Sequence, residues 1–458
     1  MASRKVSLVL TGRVLMCQQL PAQAARAAVA PHVASFSSSA PLETAKKMNY
    51  KMVVVGGGTG GCAAAHMFSR KLGKGNVAVI EPADTHYYQP LWTLVGGGLR
   101  KLDQSAQPMN KVLPGACDWI KDSAVQFDPD NNTVFTKHGY EVKYDFLVCA
   151  MGLQLNYHLI KGLPEAFDVD PSLCSNYWDK TVIKTRPAME AVTEGNVIFT
   201  FPNSPIKCAG APQKIMYLTE EYLRQSGKRD KTNVIYNTSL GVVFGVKKYA
   251  EALTKIVQER NIQVNFRHNL IEVRPDKKEA VFEHLDTKEQ KVFDYAMLHV
   301  VPPMSTPEAL WNSPLVNESG YVTVKRETLQ HTKYPNVFGI GDNTDIPTAK
   351  TAAAVASQTG ILKKNLAAAM NGHEIAGKQY DGYTSCPLVT SKNTVIMAEF
   401  DWDGQPLETF PINQAKERRT MFHFKADIFP QMYWHMLIKG YWHGPGLFRK
   451  AMHLGMSR

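Results

Sequence analysis

Short apolar runs alternate with amphipathic stretches along most of the chain, which is the pattern of strands separated by helices. The first example passes from Met52–Val55 through a glycine turn into small helical residues and on to Asn76–Ile80. Two later apolar runs, Tyr144–Gly152 and Asn336–Ile340, also lead into glycines, and a helix is predicted to begin near Thr348. Strands that alternate with helices predict a parallel sheet with helices on its faces, so the predicted fold class is α/β.

A second series of predicted strands and helices lies between these runs, with strands at Asn196–Phe201 and Asn233–Asn237 and helices at Pro212–Gln225 and Tyr249–Arg260. The chain of 458 residues is also too long for a single core. We therefore predict two Rossmann-like dinucleotide-binding units, of which the first is discontinuous, followed by a C-terminal membrane-associated helical segment. The predicted limits are residues 48–160 with 305–395 for the first unit, 161–304 for the second and 396–458 for the C-terminal region.

The turn after the first strand carries glycines at the spacing of a dinucleotide site. Gly56, Gly58 and Gly61 match G-x-G-x-x-G, a turn that brings the backbone close to a pyrophosphate at a helix N-terminus. Glu81 ends the next strand, where an acid binds the ribose hydroxyls of an adenine dinucleotide. A tight turn followed by a surface glutamate is the alternative, but the complete strand–turn–helix–strand–acid order favours a nucleotide site.

The formal net charge is +11, but the chain has no compact run of lysine and arginine and no nucleic-acid motif, so we expect no nucleic-acid partner. Residues 1–40 carry part of this charge through Arg4, Lys5, Arg13 and Arg26, and they contain no acidic residue. Because this segment is also rich in serine and alanine, it is typical of a mitochondrial transit peptide. A disordered tail without a targeting role is the alternative.

From about Met421 onward the sequence is rich in aromatic residues and methionine, with basic residues between them. This mixture is typical of a segment that lies in a membrane interface. The chain has no apolar run of about 18 residues, so we predict a monotopic attachment and no transmembrane helix. A helix docked on the core, or a dimer contact, is the alternative.

Seven cysteines are scattered along the chain without a CxxC motif or a Cys/His cluster, so we expect no metal site. Cys62 on the first helix and Cys149 in an apolar strand are predicted to be core residues. Cys208 differs, because it lies shortly before the helix at Pro212 and near Lys214, and a helix N-terminus and a cation both favour a thiolate. A buried structural thiol is the alternative for Cys208.

The second unit lacks the glycine turn that a nicotinamide dinucleotide requires after its first strand. The segment PNSPIKCAGAPQK follows Phe201 instead, with Pro202, Pro205, Ile206 and Lys207 in place of the turn. We therefore expect that the second unit keeps the fold without the nicotinamide site, and that FAD binds to the first unit.

Several motifs together resemble one flavoprotein family. They are VVVGGGTGG at Val53–Gly61, HYYQPLWTLVGGG at His86–Gly98, FPNSPIKCAGAPQK at Phe201–Lys214 and VFGIGDNTDIPTAKTAAA at Val337–Ala354, with Cys386–Pro387 and the aromatic tail. The chain after the transit segment resembles the mitochondrial sulfide:quinone oxidoreductases, within the superfamily of flavoproteins with two dinucleotide-binding domains. The segment around Cys208 is the most specific part of the resemblance.

The resemblance implies that Cys208 and Cys386 form a redox-active disulfide at the flavin. Hydrogen sulfide would leave a persulfide on Cys386, while Cys208 faces the flavin and passes on two electrons. A thiol acceptor such as glutathione would take the sulfane sulfur, and ubiquinone would take the electrons. The implied location is the matrix side of the mitochondrial inner membrane, and a homo-oligomer is a further possibility.

The cofactor residues follow partly from the motifs and partly from the resemblance. Gly341 and Asp342 end a buried strand, and Asp342 is suited to a ribityl hydroxyl, with a helix cap as its alternative. Lys350 and the helix after it would direct positive potential at the flavin, although Lys350 could equally be solvated. The predicted FAD residues are Gly56, Gly58, Thr59, Gly60, Gly61, Glu81, Gln89, Val125, Gly341, Asp342, Lys350 and Thr351.

Two other functions remain open from the residues alone. A type II NADH:quinone dehydrogenase has the same fold and membrane habit, but it requires the second glycine turn that is missing here. A non-catalytic flavin-binding redox module would need no reactive cysteine pair.

Overall fold

A computed structural model describes residues 46–375 and 379–456. The predicted transit peptide, residues 1–40, lies outside the described residues. Within the described part of the chain, the predicted α/β architecture is confirmed, with two large sheets and four smaller ones.

The first sheet has seven strands, and the long strand Lys46–Val55 lies near its centre. This strand pairs in parallel with Val77–Ile80 on one side and with Tyr140–Cys149 on the other, with Val55 opposite both Ile80 and Cys149. The carboxyl ends of these strands therefore share one edge of the sheet, from which the glycine turn and Ala150 follow. The remaining strands are Asp118–Ile120, Ala124–Asp128, Thr133–Thr136 and Val337–Gly339.

The second sheet is entirely parallel and has five strands in the order Leu173–Cys174, Met297–His299, Gly195–Phe201, Thr232–Thr238 and Gln263–Phe266. An antiparallel meander follows it, formed by His268–Arg274, Glu279–His284 and Gln290–Asp294. Two short antiparallel pairs, Thr85–Tyr87 with Ala106–Pro108 and Gln154–Leu155 with Met304–Ser305, complete the loops around the first sheet.

Helices cover both sheets. The longer ones are Thr59–Leu72, Asp179–Ala191, Ala211–Gln225, Lys247–Glu259 and Ala352–Met370. Short α-helices are Trp92–Gly96, Met109–Val112, Ala166–Val169 and Glu308–Trp311, and the 3₁₀ turns are Gln89–Leu91, Asp103–Ser105, Tyr157–Leu159 and Arg229–Lys231.

The helix expected near Thr348 begins later, at Ala352. Thr351 is its N-cap, since its side-chain oxygen accepts a hydrogen bond from the Ala354 amide at 3.1 Å. The preceding residues are held outside the helix because the Lys350 carbonyl accepts the amide of Cys208 at 2.8 Å. The backbone of Lys350 thus belongs to a contact between the two units and not to the helix.

A hairpin that we call the cysteine hairpin, Thr384–Ser391 with Thr394–Phe400, precedes the C-terminal tail, residues 419–456. The domain limits given above stay a prediction, and the limit at residue 395 falls inside the second hairpin strand. The tail contains α-helices and two π-helical turns, and no helix among the described residues has the length and apolar character to cross a membrane. The tail elements are Arg419–His423, Phe424–Ile428, Phe429–Met432, Tyr433–Leu437 and Gly446–Met452.

The tail docks closely on the first unit. A Cβ at Gly440 would lie 2.4 Å from Cγ of Met67 on the first helix, and one at Gly444 would lie 2.2 Å from Oγ of Ser357. Both glycines have positive φ, so the backbone path itself requires glycine there. The tail therefore has one face packed on the core, as the docked-helix alternative predicts, and apolar side chains exposed on the other. Its attachment to a membrane stays a prediction.

Gly61 tests the packing of the glycine turn. Its Cβ would lie 1.8 Å from the Gly56 carbonyl oxygen, so Gly61→Ala must move the helix away from the strand. We expect a loss of about 1–3 kcal/mol in the free energy of unfolding, measured by urea titration. Gly115→Ala is the matched control, since nothing lies near its Cβ and its stability should change by less than about 0.5 kcal/mol. Equal stability of the two variants would contradict this account of the turn.

Candidate active site

A cavity of about 1470 Å³ lies where the first sheet, the second unit, the cysteine hairpin and the tail meet. Its walls include the carboxyl edge of the first sheet and the N-terminal ends of several helices. Most of the lining residues come from parts of the segments 56–60, 81–93, 150–158, 176–179, 207–214, 340–356, 383–399 and 424–448, and the others are Met109, Pro164, Thr409 and Phe410.

The glycine turn opens into this cavity. Gly56 has a φ of +103°, and a Cβ there would lie 2.4 Å from the Ala150 carbonyl oxygen. Gly58 and Thr59 also line the cavity, at the N-terminus of the helix Thr59–Leu72, where amide groups can bind an anion. Gly61 does not line the cavity; its place against Gly56 makes it a packing residue.

Glu81 lies at the same edge, and its carboxylate is fixed by the backbone. Its Oε2 accepts the Gly57 amide at 2.6 Å, and its Oε1 accepts the Ala83 amide at 2.8 Å. Burial raises the pKa of this carboxyl, while the two amide hydrogen bonds act in the opposite direction. A carboxylate oxygen has two lone pairs, so each oxygen keeps one acceptor site for a ribose hydroxyl.

Most of the other predicted cofactor residues are brought to the cavity. Gly60, Gln89, Gly341, Asp342, Lys350 and Thr351 all line it. Val125 does not, because it is 48% exposed at a bulge between Ala124–Asp128 and its neighbouring strand. The family resemblance implies that Val125 lies near the adenine, and this stays a prediction.

Asp342 and two lysines form the charged part of the cavity. Burial raises the pKa of the Asp342 carboxyl, and the positive charges of Lys350 and Lys207 oppose that shift. Burial lowers the pKa of Lys207 to about 8, with Asp342 opposing the change. The Lys350 ammonium donates to the Thr344 carbonyl at 2.6 Å, so Lys350 is held and is not a freely solvated side chain.

The structure places Cys208 beside Cys386, with the two Sγ atoms 3.9 Å apart. Cys208 has a φ of +53°, a left-handed conformation held by the hydrogen bond from its amide to the Lys350 carbonyl. Cys386 lies on the cysteine hairpin, where Gly210 makes the approach possible. A Cβ at Gly210 would lie 2.6 Å from the Cys386 Sγ.

The two thiols have unequal acidities. The pKa of Cys208 lies well below its usual value, because the Cys386 thiol hydrogen-bonds to it and because Lys214 and Lys425 are positive. The Lys214 ammonium is 3.3 Å from the Cys208 Sγ. The pKa of Cys386 is raised by its hydrogen bond to Cys208 and by burial. The pair thus favours a thiolate on Cys208 and a thiol on Cys386.

Lys425 was missed as a site residue, because it lies in the tail that predicts a membrane interface. Its side chain is buried and lines the cavity, and its ammonium donates to the Pro90 carbonyl. Burial and the charge of Lys214 lower its pKa to about 7. Only a hydrophobic pattern around Lys425 signals this burial, and the same pattern fits a membrane segment.

The remaining cysteines in the described part of the chain do not join the pair. Cys62 and Cys149 are fully buried in the first unit, as predicted. Across residues 46–375 and 379–456, no group of three or more His, Cys, Asp and Glu side chains has an arrangement that could hold a metal ion.

Comparisons with known proteins decide the family. Residues 50–183 match the model described as pyridine nucleotide-disulphide oxidoreductase. The mitochondrial sulfide:quinone oxidoreductase of Mus musculus is 55% identical over 412 residues, which cover 90% of this chain and 91% of that protein. The chain belongs to the sulfide:quinone oxidoreductase family. The mitochondrial enzyme of Dictyostelium discoideum, 43% identical over 91% of this chain and 95% of its own, supports the same assignment.

A solved structure supports the fold. The sulfide:quinone oxidoreductase from Aquifex aeolicus superposes with a TM-score of 0.72 at 20% identity, covering 90% of this chain and 96% of its own. The NADH dehydrogenase alternative is not favoured, since a probable NADH dehydrogenase of Dictyostelium discoideum matches only 26% of this chain, at 29% identity. The predicted family, oxidoreductase class and fold are therefore confirmed.

The acidity of Cys208 can be measured directly. In the reduced protein we expect alkylation of Cys208 by iodoacetamide to reach half its maximal rate well below pH 8.5, the ordinary pKa being about 8.5. Because the Lys214 ammonium stabilises the thiolate, Lys214→Met should raise that midpoint by about 1 to 3 pH units. Peptide mass spectrometry across a pH series gives the rates.

Lys228→Met is the control for this experiment, since the Lys228 ammonium lies on the surface and donates to the Glu190 carbonyl. It should leave the alkylation midpoint where it is in the unchanged protein. A midpoint that Lys214→Met does not move would refute the role of Lys214.

Proposed function

We propose that this protein oxidises hydrogen sulfide at Cys208 and Cys386 and passes the electrons through FAD to ubiquinone. The observation that carries the proposal is the 3.9 Å approach of the two sulfur atoms at the wall of the cavity into which the glycine turn opens. A structural thiol pair would need neither the cavity nor the lysine at 3.3 Å from Cys208.

The residues present fit an adenine dinucleotide. Gly56–Gly60 would hold the pyrophosphate, because Gly58 lines the cavity and a Cβ there would enter the open space that a bound group needs. Glu81 would bind the ribose, and Asp342 a ribityl hydroxyl. When FAD is bound, it supplies two-electron exchange between a thiol pair and a quinone.

The sulfur chemistry divides between the two cysteines. Hydrosulfide attacks the Cys386 sulfur of the disulfide, which forms a persulfide on Cys386 and releases Cys208 as a thiolate. Cys208 is suited to be the leaving group because its pKa is the lower of the two, and a thiol of lower pKa leaves faster. Lys214 stabilises the negative charge that the released sulfur carries.

A thiol acceptor, for which we propose glutathione, then attacks the terminal sulfur of the persulfide and leaves Cys386 as a thiolate. The two thiolates lose two electrons as their disulfide re-forms, and these electrons leave from the Cys208 sulfur. The net change converts hydrosulfide and a thiolate into a persulfide anion, one proton and two electrons. Quinone takes up the two electrons with two protons to give the quinol.

We propose that the tail brings the cavity to the quinone. Phe424, Ile428 and Phe429 supply an apolar wall, and Leu447 and Phe448 are exposed farther along the tail. Exposed apolar side chains next to Lys450 suit a monotopic attachment to a lipid surface, which we propose to be the matrix side of the mitochondrial inner membrane. A homo-oligomer stays a prediction.

Cys208→Ser tests the chemistry. We expect the variant to retain FAD, seen in its absorbance spectrum, but to lose bleaching by sulfide at least about 1,000-fold, because serine cannot form the disulfide. Cys117→Ser is the matched control, since Cys117 is half-buried away from the pair, and it should be bleached normally. Bleaching of Cys208→Ser at the normal rate would refute the disulfide mechanism.

The membrane attachment is tested by Leu447→Glu combined with Phe448→Glu. Both side chains are more than half exposed, so the fold should survive while binding to vesicles falls at least about tenfold. Flotation with vesicles containing cardiolipin measures the binding. Val292→Glu, at an exposed position on the meander, should bind like the unchanged protein. Equal flotation of both variants would place the contact elsewhere.

A further inference from the structure

A chain of hydrogen bonds joins the tail to the glycine turn. The Tyr433 hydroxyl oxygen lies 2.6 Å from Nε2 of His86 and 2.9 Å from Oγ1 of Thr59. On the other side of the ring, Nδ1 of His86 lies 2.9 Å from the Gly57 carbonyl oxygen. Tyr433 and His86 are 3% and 4% exposed, so water does not compete for these contacts.

The chemistry of the partners fixes the direction of every hydrogen bond in this chain. A carbonyl oxygen only accepts, so Nδ1 of His86 must carry the hydrogen that it shares with Gly57. Burial lowers the pKa of His86 to about 4, so the ring is neutral near pH 7 and its Nε2 is an acceptor. The Tyr433 hydroxyl therefore donates to His86, and its oxygen accepts the hydroxyl hydrogen of Thr59.

The Gly57 carbonyl is thus held from the inside of the protein. His86 donates to it, and so does the Cys62 thiol, whose sulfur lies 3.0 Å away. In a trans peptide the amide of the next residue points opposite to the carbonyl. Fixing the Gly57 carbonyl toward His86 therefore fixes the Gly58 amide away from it, and Gly58 lines the cavity. A pyrophosphate is bound by amides and repelled by carbonyl oxygens.

We propose that Tyr433 is a positioning residue for the dinucleotide turn, which acts through His86 to orient the Gly57–Gly58 peptide and directly on the Thr59 side chain. The proposal rests on FAD in this cavity, as proposed above. Retention of FAD then depends on a docked tail, because the Tyr433 hydroxyl is part of the tail and also hydrogen-bonds to His86 and Thr59 at the glycine turn. The tail then has a second role besides attachment to the membrane, since its undocking loosens the cofactor.

Tyr433→Phe removes only the hydroxyl and tests the proposal in the full-length holoenzyme. We expect FAD to dissociate about tenfold faster, measured as the rise of flavin fluorescence on dilution, because His86 and Thr59 lose their shared partner. Tyr441→Phe is the matched control in the same tail, since its ring is 61% exposed and lies over Arg70. It should release FAD at the rate of the unchanged protein.

Two substitutions of His86 separate orientation from packing. In His86→Asn the amide nitrogen can take the place of Nδ1 and keep the Gly57 contact, but Tyr433 loses its acceptor; in His86→Leu both contacts are lost. We expect His86→Asn to release FAD as fast as Tyr433→Phe does. The double variant, which combines Tyr433→Phe with His86→Asn, should release FAD no faster than either single variant. The variant His86→Leu should release FAD fastest.

Unchanged FAD release in Tyr433→Phe overturns the proposal. Additive effects in the double variant also overturn it, because they would show that the two side chains act separately. If Tyr433→Phe also lowers the melting temperature of the FAD-free protein, while Tyr441→Phe does not, Tyr433 has only a structural role. Should the unchanged protein itself bind no FAD, the proposed function fails first, and that result is read from its absorbance spectrum.

Discussion

Two sulfur atoms that are 178 positions apart in the chain lie 3.9 Å from each other, and this approach is the constraint on which the rest of the site depends. The left-handed backbone of Cys208 and the hydrogen bond to the Lys350 carbonyl position one sulfur. The cysteine hairpin positions the other, and the absent side chain of Gly210 leaves room for it. Because Lys350 directly precedes the N-cap of a helix whose N-terminus lines the cavity, the contact that positions Cys208 also ties the second unit to the cofactor edge of the first.

The tail connects two environments. Its inner face places Lys425 near the thiols and the Tyr433 hydroxyl at the glycine turn, while its outer face exposes apolar side chains. A lysine whose pKa is about 7 can change its charge near neutral pH, so the charge that stabilises the Cys208 thiolate comes chiefly from Lys214, and Lys425 adds to it below about pH 7. The proposed sulfur chemistry, cofactor binding and membrane contact thus all involve this one segment of the chain.

Much of the fold was predictable, because strands and helices leave a strong periodic signal and the turn at Gly56 has a spacing that few other structures require. The start of the helix at Ala352 was not predictable, because a contact with Cys208 holds the residues before it outside the helix.

The site was less predictable than the fold. The local sequence contains no reason to pair Cys208 with Cys386, and only the family resemblance suggested this pair. Lys425 and Tyr433 were missed because their contacts arise from tertiary packing, while their local sequence matches a membrane segment. Val125 was named through the resemblance alone, and its place near the adenine stays a prediction, since its side chain lies at an exposed bulge outside the cavity lining.

Anaerobic stopped-flow mixing of the purified full-length protein with sulfide tests directly whether the Cys208–Cys386 pair passes electrons from sulfide to the flavin. We expect flavin absorbance to be lost in proportion to the sulfide added, and to return when a soluble ubiquinone analogue is mixed in. An equal concentration of NADH should leave the flavin oxidised, since the second unit has no glycine turn after Phe201. Rapid bleaching of the flavin by NADH together with none by sulfide would contradict the proposed oxidation of sulfide at the cysteine pair.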